Sequence, residues 1–122
     1  MYTAYLLDKR TRDFLLKEFK PRYCREVAHH VTEAFGVPEG TSPPKDAILE
    51  VVGYLDSQDG LEVLIVSVNG RTMRPDGSVY HVTWSLDPDK YRPYDSNEVI
   101  AKSDSWQKAL YSNLSFTPAV LR

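Results

Sequence analysis

The chain has 122 residues, 42% of them apolar and 26% charged, and a net charge of −2. That is the length and composition of one soluble globular domain over residues 1–122, and no apolar run approaches the roughly 18 residues of a membrane helix. The small negative charge argues against tight binding to long duplex nucleic acid, and a start without a signal-peptide pattern makes a cytoplasmic protein with no membrane partner the expectation.

In chain order, Tyr2 to Leu7 is rich in aromatic and aliphatic residues and alternates little, which predicts a short buried strand. From Thr11 as N-cap, Phe14, Leu15, Glu18 and Phe19 fall at helical spacing until Pro21 stops the run, predicting an amphipathic helix over 11–19. Residues 1–25 hold seven Lys or Arg against three acids, so this end is +4 and the remainder −6. The surplus reads either as a solvated helix face or as a local attraction for a ligand of few phosphates. A strand over about Arg22 to Phe35 comes next. The glycines and prolines of 36–46 then make a loop.

Ala47 to Leu55 and Leu61 to Val68, with Gln58-Asp59-Gly60 between them, predict a β-hairpin. A connection that starts at Asn69-Gly70 and holds the Pro75-Asp76-Gly77 turn leads into a strand over 78–86. After a proline-broken loop, Ser96 caps a short helix through Ala101, and Leu114 to Leu121 is a last strand that Pro118 places at an edge. Successive hairpins, without alternating strand and helix, predict an α+β fold of mainly antiparallel sheets with one or two helices packed outside.

The chain's three histidines all fall in two of these strands, and each strand spells His-x-Thr: His30-Val31-Thr32 and His81-Val82-Thr83. Side chains alternate faces along a strand, so the imidazole and hydroxyl of each unit share a face about 6.5–7 Å apart. An imidazole moves a proton near neutral pH, and a hydroxyl two residues on donates a hydrogen bond to the same reacting group. Two such units face to face set a proton acceptor and a proton donor on opposite sides of a phosphate, an arrangement that hydrolyses a phosphodiester without a metal. Each histidine alone reads first as a satisfied core residue or a surface residue without a special role, and each threonine as a strand former. It is the doubling at one offset that carries the signal.

Around this pair, Ser85 shares the predicted face of His81 and Thr83, and Arg71 and Arg74 lie in the loop just before them, where either can close over a phosphate. Tyr80 and Trp84 fall on the opposite face and read as core, while Tyr91, Tyr94 and Trp106 are candidates for stacking on a base. By strand parity His29 points away from His30, which disfavours zinc held by His29, His30 and His81. Cys24 is the only cysteine, so no internal disulfide or paired-thiol site exists, and on an unbroken strand it lies about 20 Å from His30.

At these residues the chain resembles the two-histidine (2H) phosphoesterase superfamily. Tyr5-Leu6-Leu7-Asp8 leading to a helix, then Ala28-His29-His30-Val31-Thr32-Glu33-Ala34-Phe35-Gly36, then Tyr80-His81-Val82-Thr83-Trp84-Ser85, is similar to its compact Swiss army knife RNA repair-like branch, known from phages and some cellular proteins. The resemblance implies a bilobed α+β fold and a phosphodiesterase that needs no metal or cofactor. Its substrates would be small RNA-type molecules: cyclic oligonucleotide signals of the kind some phage relatives destroy, 2′–5′ linked oligonucleotides, or 2′,3′-cyclic phosphate ends. It implies that His30 and His81 share the general acid and base roles, and that Thr32 and Thr83 bind the non-bridging oxygens. Activity would then be bell-shaped in pH around 6 to 7. The alternative is a module that keeps the cleft and sequesters a nucleotide or RNA end unchanged.

Overall fold

In the computed structural model, which describes all of residues 1–122, strand β1 (Tyr2–Leu7) is the middle of a three-stranded antiparallel sheet. Its neighbours are β3 (His30–Phe35) and β8 (Phe116–Leu121), and β8 is an edge, where Pro118 costs no ladder bond. The second sheet is five-stranded and antiparallel, in the order β2-β6-β5-β4-β7. Here β2 is Arg25–Glu26, β4 Leu49–Asp56, β5 Leu61–Val68, β6 His81–Leu86 and β7 Gln107–Tyr111. Helices α1 (Lys9–Glu18) and α2 (Ser96–Lys102) complete the α+β fold.

β5 is buried at every position because it is central and covered on both faces, which explains its almost unbroken apolar sequence. One of those faces joins the main core. Leu64, Val66, Val82 and Trp84 of the larger sheet meet Tyr5, Leu7 and Val31 of the smaller one there, with Leu15 of α1 among them. The Trp84 indole donates to the Phe19 carbonyl (2.7 Å), tying the end of α1 to that core. On the other face of β5, Val63 and Ile65 pack against Ile100 of α2.

The strand expected over 22–35 is broken. Ala28 is fully buried and takes a left-handed backbone (φ 43°), so the chain leaves the larger sheet after β2 and enters the smaller one at β3. A non-glycine residue held there is strained and persists only where its surroundings fix it. Four hydrogen bonds do so. Val27 N–H donates to Trp84 O (2.9 Å), Ala28 N–H to Thr83 O (3.0 Å) and Leu7 N–H to His29 O (3.0 Å), while the Arg12 guanidinium donates to Ala28 O (3.1 Å).

Three smaller expectations also change. The first helix starts at Lys9, and Thr11 does not cap it; buried in the first turn, its hydroxyl accepts from Ser115 N–H (2.8 Å). Ser96 is the first residue of α2 and its hydroxyl is likewise used elsewhere. β7 was not foreseen, because Gln107-Lys108-Ala109-Leu110-Tyr111 is largely exposed at a sheet edge and shows no apolar alternation.

Just before β7, Trp106 lies across Gly53 of β4 so closely that a Cβ there would stand 2.1 Å from the indole. Gly53→Ala therefore forces the ring to move, and a loss of about 1–3 kcal/mol is expected in urea unfolding. An unchanged midpoint would show the indole free to shift.

Candidate active site

Two irregularities in the ladders decide which side chains share a face. Between β1 and β3 the register steps from Thr3 opposite Ala34 to Ala4 opposite Thr32, leaving Glu33 as an extra, bulged residue. Plain alternation would put Phe35 opposite in sense to His30 and Thr32; the bulge turns it onto their face. There it packs on Tyr2 (ring centroids 5.7 Å), which also packs on the His30 ring (5.4 Å).

Between β5 and β6 the register steps from Val63 opposite Thr83 to Glu62 opposite Ser85, with Trp84 as the extra residue. This moves Ser85 off the face of His81 and Thr83, contrary to the parity expectation. It is fully buried behind the sheet, donating to Glu62 Oε1 (2.6 Å) and accepting from Tyr23 N–H (3.1 Å). The Arg22 N–H (2.8 Å) and the Tyr54 hydroxyl also donate to the Glu62 carboxylate. Ser85 thus holds the fold and does not line the site.

Both His-x-Thr units open on one cleft of about 290 Å³. The smaller sheet contributes Tyr2, His30, Thr32 and Phe35; the larger contributes His81 and Thr83. Val27, Pro93, Tyr94 and Asn97 close its rim. Tyr94, 72% exposed, is the one of the three candidate stacking residues that reaches it. Tyr91 instead hydrogen-bonds Asp59 (2.7 Å), and Trp106 covers Gly53. Parity could not reveal Tyr2, Phe35 or Asn97, since each depends on a bulge or on a contact between distant segments.

The two loop arginines do not reach this lining. Arg71 is exposed beyond β5. Arg74 is buried behind Phe35, its guanidinium 5.2 Å from that ring and held by both oxygens of Asp76 (3.1 and 3.2 Å). From there it backs the cleft-lining Phe35, and its field adds to the burial that lowers the pKa of His81. No group of three or more His, Cys, Asp or Glu side chains is placed to hold a metal ion, and Cys24 is exposed and free.

The imidazoles differ in their partners. His81 Nδ1 lies 2.7 Å from the Val79 carbonyl, which can only accept, so the proton sits on Nδ1 and Nε2 carries the lone pair. His30 Nδ1 instead meets His29 Nδ1 at 2.9 Å. Parity had these rings diverging; they converge because the bend at Ala28 leaves His29 outside the strand. Thr83 Oγ1 shares a hydrogen bond with Ser96 Oγ (2.7 Å) and donates to Pro93 O (3.2 Å).

No family model, curated protein or solved structure matches this chain. The chemistry of the cleft therefore rests on its own geometry.

Burial lowers the pKa of both site histidines. That of His30 falls to about 4, with the neighbouring His29 and His81 adding to the effect. That of His81 is lowered chiefly by desolvation, against the raising effect of its Val79 bond. As pH falls through the ordinary imidazole value of about 6.5, the unfolded chain takes up protons that the folded chain refuses. Stability is therefore complete above about pH 6.5 and falls toward pH 4. His30→Gln should flatten that slope in urea titrations at stepped pH. An unaltered slope would mean that His30 is not desolvated.

Proposed function

We propose that the protein is a metal-independent phosphodiesterase of the 2H phosphoesterase type, acting on small RNA-type substrates. Cyclic oligonucleotide signals, 2′–5′ linked oligonucleotides and 2′,3′-cyclic phosphate ends are the classes that fit. The observation that carries this reading is the meeting of His30, Thr32, His81 and Thr83 in one cleft from two different sheets. At about 290 Å³ the cleft is at the small end of the ~300–1,000 Å³ of ligand sites. It takes a single phosphodiester with one neighbouring sugar or base, the rest of a longer substrate lying outside. Tyr2, Phe35 and Tyr94 offer aromatic faces for that base.

In this reading His81 is the general base, because its Nδ1 proton is committed to Val79 and its Nε2 lone pair is left to take a proton from the attacking hydroxyl. His30 gives a proton to the departing oxygen. Thr32 and Thr83 donate to the non-bridging oxygens, the Thr83 hydroxyl turning from its long bond to the Pro93 carbonyl (3.2 Å) while it accepts from Ser96.

His30→Ala or His81→Ala should each lower kcat by about 10²–10⁴-fold while circular dichroism stays native. EDTA should change nothing. Retained turnover in both variants removes the proposal. The most informative substrates are cyclic dinucleotides, cyclic trinucleotides, 2′–5′ oligoadenylate and 2′,3′-cyclic nucleotides, followed by product analysis.

The depressed histidine pKa values fix the pH dependence. In the free protein the acid must be protonated although its pKa is lowered to about 4, so the kcat/KM profile should peak on the acid side of pH 7. A bound phosphodiester anion favours the imidazolium, so the optimum for kcat should lie higher than that for kcat/KM. Coincident optima at or above pH 7 would count against this assignment of roles.

The same depression favours a second reading, in which two neutral imidazoles bind a nucleotide or RNA end without turning it over. Mass spectrometry of ligand recovered after incubation separates the two, since a sequestering protein returns it unchanged.

A further inference from the structure

We propose that His29, exposed and outside the cleft, supplies the proton that His30 delivers, the two rings acting as a relay. The inference rests on the phosphodiesterase reading. A buried imidazole is a poor place to hold a full charge between turnovers. The Nδ1 atoms of His29 and His30 are 2.9 Å apart, with the rings nearly perpendicular (85°), a geometry in which one nitrogen donates and the other accepts. His30 lies half-buried against Tyr2, while His29 is open to solvent. A proton added to the pair is held by the exposed ring, where water solvates the charge. The groups facing the pair are Tyr2, His81 across the cleft and the Leu7 amide on the His29 carbonyl; no carboxylate is hydrogen-bonded to either ring.

With His29 as imidazolium, its Nδ1–H donates to His30 Nδ1, so the His30 proton sits on Nε2, the nitrogen without a protein partner. During bond cleavage the phosphorus–oxygen bond to the leaving group breaks and its electron pair stays on that oxygen. The oxygen takes the proton from His30 Nε2. His30 Nδ1 in turn takes the proton from His29 Nδ1. His29 ends neutral, His30 ends neutral with its proton on Nδ1, and the leaving group departs as the alcohol. The pair is reset when His30 Nε2 takes a proton from water in the emptied cleft and its Nδ1 proton passes back to His29 Nδ1, so the buried ring carries the charge only in transit. The bend at Ala28 makes this possible, because an unbroken strand would point the two rings apart.

The test compares two substrates in wild type and His29→Gln, whose amide keeps a hydrogen-bonding group beside His30 but cannot pass on a proton. One substrate is a ribonucleoside 2′,3′-cyclic phosphate, whose alkoxide leaving group needs a proton; the other is a nucleoside p-nitrophenyl phosphodiester, whose anion leaves without one. His29→Gln should lower kcat for the first by about tenfold or more with KM little changed, and leave the second within about twofold. Equal turnover of both substrates in variant and wild type overturns the relay, and so does an equal loss on both, which would make the role of His29 structural. Long-range ¹⁵N–¹H spectra of the wild type, recorded with the pair holding its extra proton, give an independent reading: the relay requires the His30 proton on Nε2 and the charge on His29, and finding the His30 proton on Nδ1, directed at His29, overturns it. If the wild type turns over neither substrate, the phosphodiesterase reading fails on its own, and the spectra alone decide whether the two rings share a proton as stated.

Discussion

The bond between the backbone of residues 27–28 and the backbone of β6 is the constraint on which the site depends. Two N–H groups, of Val27 and Ala28, donate to the carbonyls of Trp84 and Thr83, the latter a residue of the second motif itself. Directly after these bonds the chain bends at Ala28 and passes into the other sheet, so His30 starts its strand from a point fixed against Thr83. Two histidines 51 positions apart in the sequence are brought to one cleft by a junction only two residues long. The strain at Ala28 is tolerated because packing and four hydrogen bonds hold it from both sides.

That placement has an electrostatic consequence. Bringing the rings under the walls of two sheets removes water from them and sets each beside other basic groups, His29 and His81 for His30, and Arg74 for His81. All of these disfavour the charged imidazole. The neutral imidazole is therefore favoured at both positions. The partners set the two rings apart: a backbone carbonyl leaves His81 Nε2 as an acceptor, while His30 meets a second imidazole. An anionic ligand in the cleft would favour the charged form of both rings.

Much of this was legible in the residues. The strands at Tyr2–Leu7 and Leu61–Val68, the helix before Pro21 and the edge position of Pro118 follow from apolar patterning and proline chemistry that act locally. The two His-x-Thr units were visible for the same reason, since within each unit the strand is regular and alternation holds. It failed where the pairing slips: at Glu33, which brings Phe35 onto the site face, and at Trp84, which takes Ser85 off it. Neither residue is a glycine or proline, so no local propensity marks the bulge; it is set by the partner strand. Ala28 hid the break in the expected strand in the same way, as alanine gives no hint of a left-handed backbone. The arginines were misplaced because loop position says nothing of the Asp76 and Phe35 contacts that draw Arg74 inward.

The bulge at Trp84 does more than remove Ser85 from the cleft. By turning Ser85 toward Glu62 it completes a buried carboxylate that also accepts from the Arg22 N–H, while Ser85 accepts from the Tyr23 N–H. These two amides precede β2, and β2 leads into the bend at Ala28. The short strand β6 thus grips the approach to the first motif twice, through the Ser85 side chain on the Tyr23 amide and through its backbone carbonyls on the amides of residues 27–28, while Glu62 of β5 holds the Arg22 amide. An unpaired buried carboxylate would cost several kcal/mol, so the Glu62 cluster holds only with all its donors in place. Register in β6 and position of His30 are in this way one property, since a slip that freed Ser85 would also release the segment that carries the first histidine.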